Sequence, residues 1–157
     1  MPWSLYDKLT LDEPPEGGAR TRQPDASATD FRESIARDLS WLFNSNALQS
    51  AVDLIGFEHI LSSTLNYGIR SHSGDEVDGL NADGLRREIA VALNRFEPRL
   101  MPESLEIELL PDGPEGEFHF RIEAELCRPY SPSRLVLRAR HGRLGGGVTV
   151  IDVTRER

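Results

Sequence analysis

Apolar residues recur along this chain first every three to four positions and later every second one, so helices should come first and strands after them. Phe31, Ile35, Leu39, Leu42 and Phe43 share one helical face, while Arg32, Arg37 and Asp38 fall elsewhere. Asp30 is placed to cap this helix, Glu33 completes a capping-box pattern, and Asn44-Ser45-Asn46 should end it. From Leu48 to Ile69 the pattern is less regular; it predicts one short helix over Phe57 to Leu65 and a turn at Asn66-Tyr67-Gly68. In that turn Asn and Gly suit positive φ, and Tyr67 should pack beneath the loop. A polar stretch from Ser71 to Gly84 contains Asn81, a candidate N-cap for a helix with the core stripe Leu85, Ile89, Leu93 and Phe96. Its outer face carries Arg86, Arg87, Glu88 and Arg95.

Beyond Pro102 the period becomes two. Leu105, Ile107 and Leu109 alternate with Glu106 and Glu108; after a turn, Phe118, Phe120, Ile122, Ala124 and Leu126 alternate with His119, Arg121, Glu123 and Glu125. Leu135 to Ala139 and Val148 to Val153 supply two further runs, joined by the glycine-rich stretch Gly142 to Gly147. Helices followed by an antiparallel meander imply an α+β fold, with the helices packed on one face of a sheet of about four strands. Trp3, Leu5, Tyr6 and Leu9 form a separate apolar cluster, followed by the Pro-, Gly- and acid-rich segment Asp12 to Thr29. Residues 1–29 are therefore read as a docking segment plus flexible linker, and 30–157 as the folded domain. The cluster could fold back on its own domain or dock on a partner.

Charge and composition narrow the chemistry. A net charge of −8 argues against a nucleic-acid surface. Cys127 is the sole cysteine, which excludes an internal disulfide and a cysteine-based zinc site. With no secretory signal and no apolar run approaching the ~20 residues of a membrane span, the chain is read as cytoplasmic. The four histidines show no ligand spacing, no Gly-x-Ser-x-Gly elbow exists, and Gly142 to Gly147 lacks the lysine of a phosphate loop. Around Asp75 and Asp78, the registers set by Gly79 and Gly84 put glycine where a calcium loop needs its first aspartate. No metal or cofactor is expected. One enzymatic alternative survives: a peptidoglycan-cleaving, lysozyme-like glycosidase with Glu97 as acid and Asp75, Asp78 or Glu106 as second carboxylate. Arg99 would keep Glu97 ionised, the wrong direction for a general acid.

The run Phe96-Glu97-Pro98-Arg99-Leu100 joins the second long helix to the sheet. Proline stiffens this junction, so Glu97 and Arg99 should be held at the surface as an anion and a cation, for a partner, for each other or as caps of the preceding helix. With Leu39-Ser40-Trp41-Leu42-Phe43 and Ser63 to Gly68, in this order and spacing, the chain resembles the TssE family of type VI secretion baseplate subunits. That family belongs with the phage tail baseplate wedge proteins often labelled lysozyme-like. The resemblance covers about residues 30 to 153, with a further match in Ser4 to Leu9. It implies a non-enzymatic part of a cytoplasmic, membrane-docked bacterial baseplate. Such a part binds the wedge subunits TssF and TssG, possesses a sheet akin to the interlocking domain of the sheath proteins (TssB/TssC), and starts sheath polymerisation. Carried over, the contact residues are Glu97, Pro98 and Arg99. The β-branched run Val148, Thr149, Val150, Ile151, Asp152, Val153 has one charge; at a sheet edge it would be poorly defended and open to a sheath strand.

Overall fold

Two long helices supply the apolar stripes that cover the sheet. The computed structural model describes Tyr6 and residues 28–70, 82–111, 117–127, 134–142 and 147–154. Helix α1 spans Ala28–Asn44, α2 Glu58–Leu61 and α3 Ala82–Phe96, with 3-10 turns at Leu48–Ser50, Thr64–Asn66 and Pro102–Ser104. Strands β1 (Glu106–Leu110), β2 (Glu117–Glu125), β3 (Arg134–Gly142) and β4 (Val148–Asp152) form one antiparallel sheet in the order β1-β2-β3-β4. The α+β arrangement expected from the change of period is the one found.

The stripes meet as the periodicity requires. Phe31, Ile35, Leu39 and Leu42 of α1 and Leu85, Ile89 and Leu93 of α3 are buried with Phe120, Ile122, Leu135 and Leu137 from one face of the sheet. The other face carries the alternate residues, among them Arg121, Arg138 and Thr149. Register follows from this division, because a one-residue slip would turn the buried row outward.

Local differences from the sequence reading have identifiable causes. Helix α1 begins at Ala28, so Asp30 lies within its first turn and not at the cap; no breaker in Ala28-Thr29 stops the helix sooner. The helix expected over Phe57 to Leu65 is cut to Glu58–Leu61. Ser63 ends it: its hydroxyl donates to the Ile60 carbonyl (2.9 Å) and accepts from Leu65 N–H (3.3 Å), competing with the helical pattern. Asn66 does not use positive φ; it is 1% exposed and bridges the loop, accepting from Gln49 N–H (3.0 Å) and donating to Leu61 C=O (3.1 Å). Asn81, and the acidic loop around Asp75 and Asp78, fall outside the described residues.

Candidate functional site

The junction after α3 is built from its backbone outward. Glu97 N–H still completes the helix, bonding Leu93 C=O at 2.9 Å. The Glu97 carbonyl then accepts from Leu100 N–H at 3.2 Å, closing a β-turn in which Pro98 holds the second position that its fixed φ favours. Beyond the turn, Arg99 C=O accepts from Cys127 N–H and Met101 N–H donates to Glu125 C=O, both at 2.8 Å. The corner is thereby stitched to the end of β2.

Of the arrangements the sequence allows, Glu97 and Arg99 pair with each other, and they do so inside the fold and not at the surface. Glu97 is 4% exposed, and both of its carboxylate oxygens are taken by Arg99. Oε1 accepts from Arg99 Nε (2.6 Å) and from its backbone N–H (3.2 Å), while Oε2 pairs with Nη2. The same Nη2 donates to Asp38 Oδ2 at 2.9 Å, and Nη1 reaches Ser34 Oγ at 3.3 Å. Arg37 occupies the other Asp38 oxygen, with Nη2 at 2.9 Å and Nε at 3.2 Å. The expectation of two outward charges is corrected: acids and arginines alternate inside the fold, and each neutralises its neighbour. A carboxylate this buried needs such a partner. What the corner presents is the exposed Pro98 and the accessible 15% of the Arg99 side chain.

The cluster shapes titration around it. Burial lowers the Arg99 pKa, but hydrogen bonds and charges from Glu97 and Asp38 outweigh it and leave the guanidinium above its ordinary value. Tyr67 sits beside the same acids, donating to Asp38 C=O at 3.4 Å with its ring edge-on to Phe96 at 5.4 Å. Burial pushes its phenol up, the charges of Asp38 and Glu97 add to that, and Arg99 opposes them.

The sequence profile of baseplate wedge protein gp25 matches residues 29–128, from α1 through β2 and across the whole corner. This chain belongs to the gp25 family of baseplate wedge proteins. TssE belongs to it too, as the resemblance implied. No curated protein and no solved structure matches. The gp25 family is a family of structural parts of phage-tail-like baseplates, and membership implies association with other baseplate components.

Other residues singled out in the sequence are placed as follows in this gp25-family chain. Glu97 offers a glycan no accessible carboxylate, which removes the geometry a glycosidase acid requires. Asp75 and Asp78 lie outside the described residues, and Glu106 is exposed at the start of β1. Among the described residues no group of three His, Cys, Asp or Glu could hold a metal, and no helix is long and apolar enough to cross a membrane. Tyr6 packs in cis on α1, edge-on to Trp41 at 5.0 Å, with the Arg37 guanidinium 4.8 Å from the Tyr6 ring and 5.1 Å from the Trp41 ring. Trp3, Leu5 and Leu9 lie outside the described residues.

Strand β4 is an edge strand, as β1 is on the opposite side. It is better defended than its composition implied. The Asn44 side-chain amide mimics a strand: Oδ1 accepts from Val148 N–H at 2.8 Å and Nδ2 donates to Val148 C=O at 2.7 Å. Arg32 of α1 lies 3.4 Å from the Asp152 carboxylate at the other end. Val153 follows the strand, its N–H bonding Val136 C=O at 2.9 Å. Sequence reasoning missed Ser34, Asp38 and Asn44 as site residues. The only signal was a polar side chain on α1, with nothing to tie Asp38 to a residue 61 positions away or Asn44 to one 104 away.

Proposed function

We propose that this chain is the TssE-like structural subunit of a type VI-like contractile machine, located in the cytoplasmic baseplate. In this reading the Glu97-Pro98-Arg99 corner docks the wedge subunits TssF and TssG. The observation that carries it is the ion network itself: Glu97 and Asp38 clamp Arg99 from two elements, so the exposed Pro98 turn is rigid before any partner arrives. Pre-organisation of this kind lowers the ordering entropy lost on docking. Glu97 then serves as the residue that positions the turn, and Pro98 with the rim of Arg99 as the contact.

Sheath initiation belongs to the sheet in the same reading. Backbone groups two residues apart on an edge strand point the same way, so with Val148 held by Asn44, Val150 and Asp152 are the rungs left for an incoming TssB/TssC segment. Pro98→Trp tests the corner without disturbing the ion network. The folded variant should lose co-purification with co-expressed TssF and TssG; full retention would sink the docking role. Neighbouring genes for TssF and TssG would support the type VI machine, whereas tail-tube and tail-fibre genes would place the same subunit in a phage-like particle.

A further inference from the structure

A cleft of about 150 Å³ opens between α3 and the segment around Asn66 to Arg70, sharing no residue with the Glu97-Pro98-Arg99 corner. Val91, Ala92 and Phe96 give it an apolar wall, and Arg70, Arg87 and Arg95 stand around it. Arg87, Val91 and Arg95 recur every fourth residue, so they line one face of α3, beside the buried stripe of Leu85, Ile89 and Leu93. Val91 is 45% exposed, and Leu65, next to the lining residue Asn66, is 69% exposed.

The arginines of this cleft differ from others in the molecule. Arg32, Arg37, Arg99, Arg121 and Arg134 each lie against a carboxylate. Arg87 instead donates from Nε to the Asp83 main-chain carbonyl at 3.2 Å, and Arg95 from Nη1 to the Leu61 carbonyl at 3.1 Å. Arg70 is exposed, and among the described residues no carboxylate forms an ion pair with any of the three. Main-chain carbonyls hold two of the guanidiniums in place without cancelling their charge. Among the described residues of the lining Glu88 is the one acid, so positive charge predominates among them in a chain whose net charge is −8.

We infer that this cleft binds an acidic amphipathic segment of a partner protein, an apolar side chain entering beside Val91 and carboxylates meeting Arg70, Arg87 and Arg95. Volume and charge choose this occupant. Pockets for small metabolites and cofactors run from about 300 Å³ upward, so this cleft suits a side chain better than a whole ligand. Nucleic acid would meet a strongly acidic molecule outside the cleft and would need a continuous basic track with stacking aromatics. Arginine's planar fork matches carboxylates, and the apolar wall gives an amphipathic segment somewhere to bury its other face.

Fluorescence anisotropy of the purified full chain tests the inference. The probe is a fluorescein-labelled peptide of about 14 residues, four helical turns, with Glu on one face and Leu on the other. A second peptide carries Lys at every Glu position. Saturable binding of the Glu peptide alone is expected, weakening as salt is raised and falling about tenfold in Arg87→Glu. Arg70→Glu should act in the same direction, and its exposed position keeps it clear of folding defects. In amide NMR spectra the Glu peptide should shift Val91 and Ala92. Absence of saturable binding, equal binding of the Lys peptide, or affinity unchanged in both variants overturns the proposal. Binding that appears only after Asp75→Asn, Glu76→Gln and Asp78→Asn would assign the cleft to the chain's own acidic segment, and overturns it as well.

Discussion

One guanidinium, that of Arg99, joins Glu97 two residues before it to Asp38 61 residues before it. The near contact alone would be a local pair; the distant one ties the α3-to-β1 corner to α1. With the Glu97 side chain 3% and the Arg99 side chain 15% accessible, loss of Glu97 leaves a largely buried guanidinium with only Asp38, an acid it shares with Arg37. Glu97→Gln should therefore cost about 3–5 kcal/mol in urea unfolding, the range for breaking a buried pair. Asp38→Asn should cost less, about 1.5–3 kcal/mol, because Glu97 still neutralises Arg99. The double variant should exceed the sum, since neither acid is then left to neutralise the one guanidinium. Additive losses would show that the acids act independently and that the network is not a single clamp.

Asn44 guards the β4 edge by satisfying both backbone groups of Val148. Asn44→Ala removes both hydrogen bonds to Val148 and a third to the Ser40 carbonyl, and should cost about 1–3 kcal/mol. It should also bare the edge, so that light scattering reports concentration-dependent self-association absent from the parent. A variant that stays monomeric and equally stable would mean that the amide is no more than a surface decoration.

How far the sequence reached depends on the range of the forces involved. Both long helices and all four strands were legible because their apolar periods are set by burial against one core, as Leu85-Ile89-Leu93 and Phe118-Phe120-Ile122 show. The corner was legible as a stiff, charged junction, since proline acts locally. Its inward-facing charges were not, because the partner that draws Arg99 in is Asp38, on a helix whose approach to the corner is a product of the finished packing. The same holds for Val148 to Val153, whose composition implies poor defence only where the run lies at a sheet edge. Composition describes the strand, and only the fold brings Asn44 to it.

Gly68 marks a place where two chain segments touch. Its φ is 128°, and a Cβ there would lie 2.3 Å from the Ser45 carbonyl oxygen and 2.9 Å from Ala47 N. These are the strands of a parallel bridge, with Ala47 N–H bonding Ile69 C=O and Ile69 N–H bonding Ser45 C=O, each at 3.0 Å. Gly68→Ala combines backbone strain with loss of that bridge and should cost about 3 kcal/mol or more, lowering Tm by about 10 °C or more. Gly56, at φ 84° with nothing within 4 Å of its notional Cβ, is the control. Strain alone should limit Gly56→Ala to about 1–3 kcal/mol. Equal losses at the two positions would show that close approach adds nothing at Gly68.

Tyr67 makes alkaline stability a readout of the same charged corner. Its phenol is raised by burial and by the nearby charges of Asp38 and Glu97, so the folded chain holds that proton longer than the unfolded chain does. A group with a raised folded pKa contributes stability that is complete below its unfolded pKa, about 10 for tyrosine, and is lost as pH climbs through the folded value. Wild-type protein should therefore lose stability above about pH 10 at up to about 1.4 kcal/mol per pH unit from this residue. Tyr67→Phe should remove that share of the decline. At neutral pH the substitution should cost less than about 1 kcal/mol, because the hydroxyl lies 3.4 Å from Asp38 C=O, long for an O–H donor. Urea midpoints measured from pH 8 to 11 for both proteins check this. Parallel curves would mean that the phenol ionises alike in folded and unfolded chains, and that the field of Asp38 and Glu97 is already cancelled by Arg99 before it reaches the ring.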